Sequence, residues 1–294
     1  GINDSIDKIC VEFFKKFRDF DPSVLKDEFE NFKQKSKETQ ANFVTSPPYR
    51  QAIDLATIIF HSETGTLTLP EVSLDIIEQI TFKDVLNFHE TFFKTLRFEG
   101  LFIGNLTKEK AIETTKHIED ILSKMRPNNR VLPKEAIPEL RHFKLEANST
   151  FFYERILPNI EGQEKESNSS IINYYQYDQL THEKKLLMLV LCNYIKSPCF
   201  NVLRTEEQLG YIVHSGNYAY RDVLGLIILI QSNVKPSHFL SQRIAAFLEK
   251  TKEKIEAITD EEFTKHVESI RASMMEKDLS IIQEGERYWS EIVT

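Results

Sequence analysis

Pro127–Pro138 constrains the fold of this chain more than any other stretch, because it holds three prolines and the adjacent Asn128 and Asn129. Proline can neither continue a helix interior nor give an N–H to a central strand, so regular structure must stop before this stretch and restart after it. The texture of the chain changes across it. On the N-terminal side apolar residues recur at helical spacing, as in Ile6, Ile9, Cys10, Phe13, Phe14 and Phe17 behind the capping pair Asp4/Ser5. Asp21-Pro22-Ser23 restarts the chain into a long charged helix toward Thr45, which Pro47-Pro48 ends. Helices are predicted over Tyr49–His61, Leu74–Ile80, Phe82–Leu96 and Thr107–Met125, the last capped by Thr107, with Phe98–Gly104 as a strand.

On the C-terminal side alternating strands appear: Arg141–Glu146, Phe151–Leu157 and Ser169–Tyr177, with polar Glu161–Ser170 as a loop. A strongly apolar helix over Glu183–Ile195 follows Thr181. Next come Cys199–Leu209 and a hairpin of Tyr211–Tyr220 with Leu224–Ser232. Pro236–Ile258, Asp260–Glu276 and Ile281–Val293 read as closing helices, with Asp260 starting the second without a full capping box. The fold class implied is α+β, in two consecutive domains of helices on a mainly antiparallel sheet. Their expected spans are residues 1–126 and 141–294, joined by a linker at 127–140.

Composition narrows the function. At 294 residues the chain is long enough for a sizeable core, and its 21 Phe and 10 Tyr favour packing over disorder. A net charge of −8 argues against a general nucleic-acid binder, which presents a basic surface. No apolar run approaches the roughly eighteen residues of a membrane span, so no membrane partner is expected. Cys10, Cys192 and Cys199 are an odd number without metal-type pairing. Cys192 and Cys199 on one helix would lie about 10 Å apart, beyond disulfide reach. A reducing, cytoplasmic setting is the simpler inference, although Asn3, Asn105, Asn148 and Asn168 begin glycosylation-type triplets.

The run Arg204–Val213 joins helix-favouring residues to an extended segment through Gly210. Glycine reaches the left-handed conformation that closes a helix without a Cβ penalty, which puts Tyr211 at a helix-to-strand junction. Arg204 lies about two helical turns earlier, so a cation and a phenol suited to a carbonyl or carboxylate come near each other. The same spacing fits a surface Arg204 paired with Glu207 or Gln208 and a half-buried Tyr211. A self-sufficient hydrolase needs more than this. The eight histidines form neither His-x-x-Glu-His nor His-Glu-x-x-His, and no nucleophile elbow or phosphate-binding glycine loop is present. His266 and Glu268, two apart on a helix, point to different sides. No metal ligand set is expected in this chain.

The longer run Ser197–Val213, SPCFNVLRTEEQLGYIV, closely resembles the C-terminal half of insulysin-like zinc metallopeptidases of the pitrilysin-type inverzincin family. Ser215-Gly216, Gly225-Leu226, Ile230-Gln231-Ser232, Phe247-Leu248 and Tyr288–Ile292 extend the resemblance. Gly1–Asp4 and Gly104–Lys108 fit the preceding family domain more loosely. The resemblance implies two similar halves that close around an unfolded peptide, with zinc held by an N-terminal half outside this chain. It implies that the chain covers parts of the third and fourth family domains, both truncated. It further implies that Tyr211 donates to the carbonyl as it becomes an oxyanion, that Arg204 holds the substrate backbone, and that Phe200 lines an apolar subsite. The geometry of a core Phe fits Phe200 as well. The implied partners are the N-terminal half of the same polypeptide and peptide substrates, and a homo-oligomer is compatible. The alternative is a non-catalytic relative that acts as a peptide-binding or assembly subunit.

Overall fold

The computed structural model describes residues 5–61, 68–92, 98–124, 144–157, 166–179, 181–220 and 223–293. The expected linker at 127–140 lies outside them. The chain divides into two compact units that interleave along the sequence. One contains Gly1–Glu38, Leu74–Glu139 and Lys277–Thr294, the other Thr39–Ser73 and Leu140–Glu276.

The first unit is helical. Helix α1 (Ile6–Asp19) is followed by a 3₁₀ turn at Pro22–Glu28, started by Asp21, whose carboxylate accepts from the Ser23 N–H at 2.9 Å. The charged helix expected from there to Thr45 is therefore a 3₁₀ turn leading into α2 (Phe29–Thr45). The end of α4 (Pro70–Gln79), then α5 (Phe82–Phe92), α6 (Lys108–Ser123) and α10 (Ile281–Val293) complete the unit. Thr107 caps α6 as expected, its hydroxyl accepting from the Lys110 N–H at 3.2 Å. The buried residues of α6 include Ile118, Ile121 and Leu122. Thr114 of α6 donates to the Asp7 carboxylate of α1 at 2.9 Å.

Among the described residues this unit has no strand. Residues 98–104 are irregular rather than the strand their composition suggests. A strand exists only where a neighbour offers backbone groups, and here Phe98 instead packs edge-on to Phe14, with ring centroids 5.3 Å apart. Phe151–Leu157 is likewise irregular, as are residues 144–146 of the strand expected at 141–146.

The second unit carries the sheet. Strands β1 (Ser169–Gln179), β2 (Ile212–Tyr220) and β3 (Val223–Ser232) are antiparallel in the order β1-β3-β2. Ile230 pairs with Ile171 on one side and with Val213 on the other. The central strand is apolar on both faces because both are covered. Leu224, Leu226, Ile228 and Ile230 face a core built with α7 (His182–Cys199) and α8 (Ser237–Glu256). Each helix buries one stripe at i, i+4, i+7, i+11: Met188, Cys192, Ile195 and Cys199 from α7, and Leu240, Ile244, Phe247 and Thr251 from α8.

On the opposite face Phe60 of α3 (Pro48–Phe60) packs against Tyr174 and Tyr218, with centroids at 4.4 and 5.2 Å. Gly225 makes room for this aromatic group, since a Cβ there would stand 2.3 Å from the Tyr174 ring. Thr181 caps α7 through the Lys184 N–H at 3.2 Å. Helix α9 (Asp260–Met274) begins at Asp260 as read from the sequence, but with a complete capping box formed by Thr259 and Glu262. His266 of α9 bonds to Asn193 of α7 at 2.7 Å.

Mixed helices with a small antiparallel sheet make the fold α+β. The continuous helix His182–Glu206 is long and apolar enough to cross a membrane by length and composition. Its buried stripe nevertheless packs into the core beside the sheet.

Candidate functional site

Pro198 stands in the last turn of α7 and has no N–H for the carbonyl four residues back. The helix does not stop there. It widens into a π turn over Phe200–Glu206, which ends with the Glu207 N–H donating to the Val202 carbonyl five residues back at 2.9 Å. The Leu209 N–H then reaches the Leu203 carbonyl at 3.0 Å. Leu203 and Leu209 are buried on either side of this exit.

The left-handed residue in the exit is Gln208, with φ 51, and not Gly210. Glycine at 210 answers a different demand. A Cβ there would lie 1.9 Å from the Gln231 carbonyl oxygen of β3, so only a residue without a side chain lets the chain pass. Because Gly210 is committed to that close approach, the reversal falls on Gln208, which accepts a strained backbone.

The exit brings Phe200, Arg204 and Tyr211 together. The Arg204 guanidinium lies over the Phe200 ring at 4.7 Å and over the Tyr211 ring at 5.3 Å. Its Nε donates to the Tyr211 carbonyl at 3.1 Å. Tyr211 is 83% exposed rather than half-buried, and Phe200 is partly exposed rather than a core residue. Nor does Arg204 pair with Glu207. That carboxylate takes both nitrogens of a fork from Arg243 of α8, each at 2.7 Å. Sequence spacing gave no hint of this pair, because its members lie 36 residues apart and meet only through the fold.

Phe200 also lines a shallow groove of about 350 Å³ between α7 and β2, together with Lys196, Ser197, Val213 and His214. Cys199 borders it as a buried thiol. Burial pushes its thiol up to about 11, with the Ser215 hydroxyl pulling weakly the other way, and burial alone does the same to Cys192. The site therefore offers an exposed phenol, a guanidinium held by two rings and one carbonyl, and an apolar surface. These are binding and hydrogen-bond-donating groups. Among the described residues no three His, Cys, Asp or Glu side chains are grouped to hold a metal ion, and the sequence contains neither His-x-x-Glu-His nor His-Glu-x-x-His.

Comparison with known proteins places this site in context. Residues 190–289, which include Phe200, Arg204 and Tyr211, match the family described as PQQ synthase PqqF-like, C-terminal lobe domain 4. The chain is 29% identical to insulin-degrading enzyme of Homo sapiens over 294 residues, covering 100% of this chain and 28% of that protein. It is 30% identical over 219 residues to the putative zinc protease mug138 of Schizosaccharomyces pombe, covering 74% of this chain and 22% of that protein. The crystal structure of pitrilysin has the same fold over 89% of this chain and 26% of its own, with a TM-score of 0.66 and 21% identity. The fold is thus the one seen in pitrilysin. Homologues of the chain are insulin-degrading enzyme and related zinc proteases, and it matches the C-terminal region of those proteins. It spans less than a third of their length.

Proposed function

We propose that this chain is the C-terminal, non-zinc-binding part of an insulysin-like metalloendopeptidase, which encloses and orients peptide substrates and cleaves nothing without an N-terminal half. The observation that carries the reading is the convergence of Phe200, Arg204 and Tyr211 at the exit of the π turn, within the segment matched to the PqqF-like C-terminal lobe domain 4. A phenol that is 83% exposed, on a backbone anchored next to Gly210, is available to a ligand. We assign it donation to the scissile carbonyl oxygen as negative charge builds there, a role in which preorganised donors are most effective. Arg204 spends one of its five N–H donors on the Tyr211 carbonyl and presents the outer ones to the peptide backbone. Phe200 supplies an apolar wall for a side chain. Zinc, held by the other half, supplies the Lewis acid of the reaction, and no residue of this chain takes part in holding it.

The test is Tyr211→Phe in the whole protease, assayed with a short fluorogenic peptide. Loss of one such donor is expected to lower kcat by roughly 100-fold with KM little changed. An unchanged kcat removes the role given to Tyr211. A whole protein without a zinc-binding histidine motif ahead of this region would favour a peptide-binding subunit instead.

A further inference from the structure

The left-handed Gln208 and the buried neighbours around it raise the question of what holds the exit of the π turn in one shape. A glutamine at φ 51 prefers to relax to negative φ, and relaxation there would swing Gly210 and Tyr211. Three contacts oppose it. Two are backbone bonds, from Glu207 to Val202 and from Leu209 to Leu203. The third comes from outside the segment. Glu207, directly before Gln208, is gripped by Arg243 through two parallel 2.7 Å bonds, and both side chains are partly covered. Arg243 is itself fixed, because α8 buries Leu240, Ile244 and Phe247 in the core. A bidentate arginine–carboxylate pair defines direction as well as distance, which an exposed single-bond pair does not.

We infer that the Glu207–Arg243 pair is a clamp that holds the left-handed turn at Gln208 and so positions Tyr211 and Arg204 from α8. Glu207 and Arg243 bond to each other and act through the turn. The inference rests on the site role proposed above only for its consequence in turnover, not for its structural content.

The structural arm uses this chain labelled with 3-fluorotyrosine, the Tyr211 fluorine line being assigned by its loss in Tyr211→Phe. Arg243→Met and Glu207→Gln are expected to shift or broaden that line, and Lys250→Met, on an exposed position of α8, to leave it in place. The charge-reversed pair Glu207→Arg with Arg243→Glu is expected to bring the line back. Gln208→Gly added to Arg243→Met does the same, since glycine adopts positive φ without being held. A Tyr211 line unmoved by Glu207→Gln, an isosteric change that keeps the fold, overturns the clamp.

The kinetic arm uses the whole protease. Glu207→Gln is expected to lower kcat roughly 10-fold with KM within about twofold, as slight misplacement of a donor does. If Tyr211→Phe leaves kcat unchanged, the role of Tyr211 falls while the fluorine spectra still decide the clamp.

Discussion

Leu224, Ile228, Ile230, Leu240 and Ile244 of the second unit are fully buried, whereas Phe13, Phe88 and Phe98 of the first are exposed by 60, 68 and 46%. Both regions are rich in apolar residues, so composition does not separate them. The difference lies in what each helix has to pack on. In the second unit α7 and α8 lie on one face of a three-stranded sheet and α3 covers the other, so each apolar stripe finds a partner layer. The first unit has helices but no sheet among its described residues, and α1 and α10 keep apolar faces toward solvent, with Ile9, Phe13, Ile282 and Ile292 among them. An amphipathic pattern therefore guarantees a helix but not a core. Burial requires a second surface. The candidate site sits in the unit that has one, which suits a site whose chemistry depends on fixed geometry.

The largest expected effect that separates the units comes from truncating apolar side chains in each. Ile228→Ala is expected to cost about 3–4 kcal/mol, through lost transfer energy and a cavity that packed neighbours do not refill. Phe13→Ala, at an exposed position, should cost no more than about 1 kcal/mol. Urea unfolding followed by far-ultraviolet circular dichroism measures both, and equal costs would break the contrast. The glycines sharpen it further. Gly210→Ala drives a methyl into the Gln231 carbonyl and is expected to destabilise by about 2–3 kcal/mol. Gly285→Ala in α10 meets nothing nearer than Ile103 at 3.5 Å, and by raising helix propensity it should stabilise by about 0.5–1 kcal/mol. The lone tryptophan, Trp289, is in α10, so its fluorescence reports the first unit separately. The same sign of change for the two glycines would refute the account of both.

Much of this fold was legible in local signals and much of the site was not. Thr107 and Thr181 announced their helices because a cap is a contact between residues three apart. The Thr259–Glu262 box is equally local and was missed only because Asp260 is itself a good helix starter. The strand expected at 98–104 fails for a non-local reason, since a ladder needs a partner that no window of sequence contains. At the site, the junction and the nearness of Arg204 and Tyr211 followed from spacing, whereas Phe200 entered only through the family resemblance. The sequence assigned the left-handed turn to glycine, as propensity dictates. What reversed that assignment was the Gln231 carbonyl, a backbone atom from another strand. The Glu207–Arg243 pair lay beyond reach for the same reason.

The smallest effect concerns how the first unit holds α1 to α6 without a sheet. The Asp7 side chain is 18% exposed and accepts from Thr114 at 2.9 Å, with His117 and Lys110 nearby at 3.3 and 3.4 Å. The Thr114 hydroxyl above all, and then His117 and Lys110, hold the Asp7 carboxyl below its usual range, against the opposing pull of partial burial. A carboxyl whose folded value lies below its unfolded one contributes stability that is fully present above the unfolded value. That contribution is lost as pH falls through the folded one. The window is therefore acidic, below about pH 4, and nothing should change between pH 6 and 8 on account of this group. Asp7→Asn is expected to remove no more than about 1 kcal/mol at pH 7 and to flatten the acid limb of the unfolding midpoint followed through Trp289. The corresponding limb followed through the sheet of the second unit should be unaffected. If Asp7→Asn leaves the Trp289 midpoint unchanged at both pH 7 and pH 3.5, then α1 is held to α6 by its apolar contacts alone, and the first unit depends on hydrophobic packing more than its exposed face suggests.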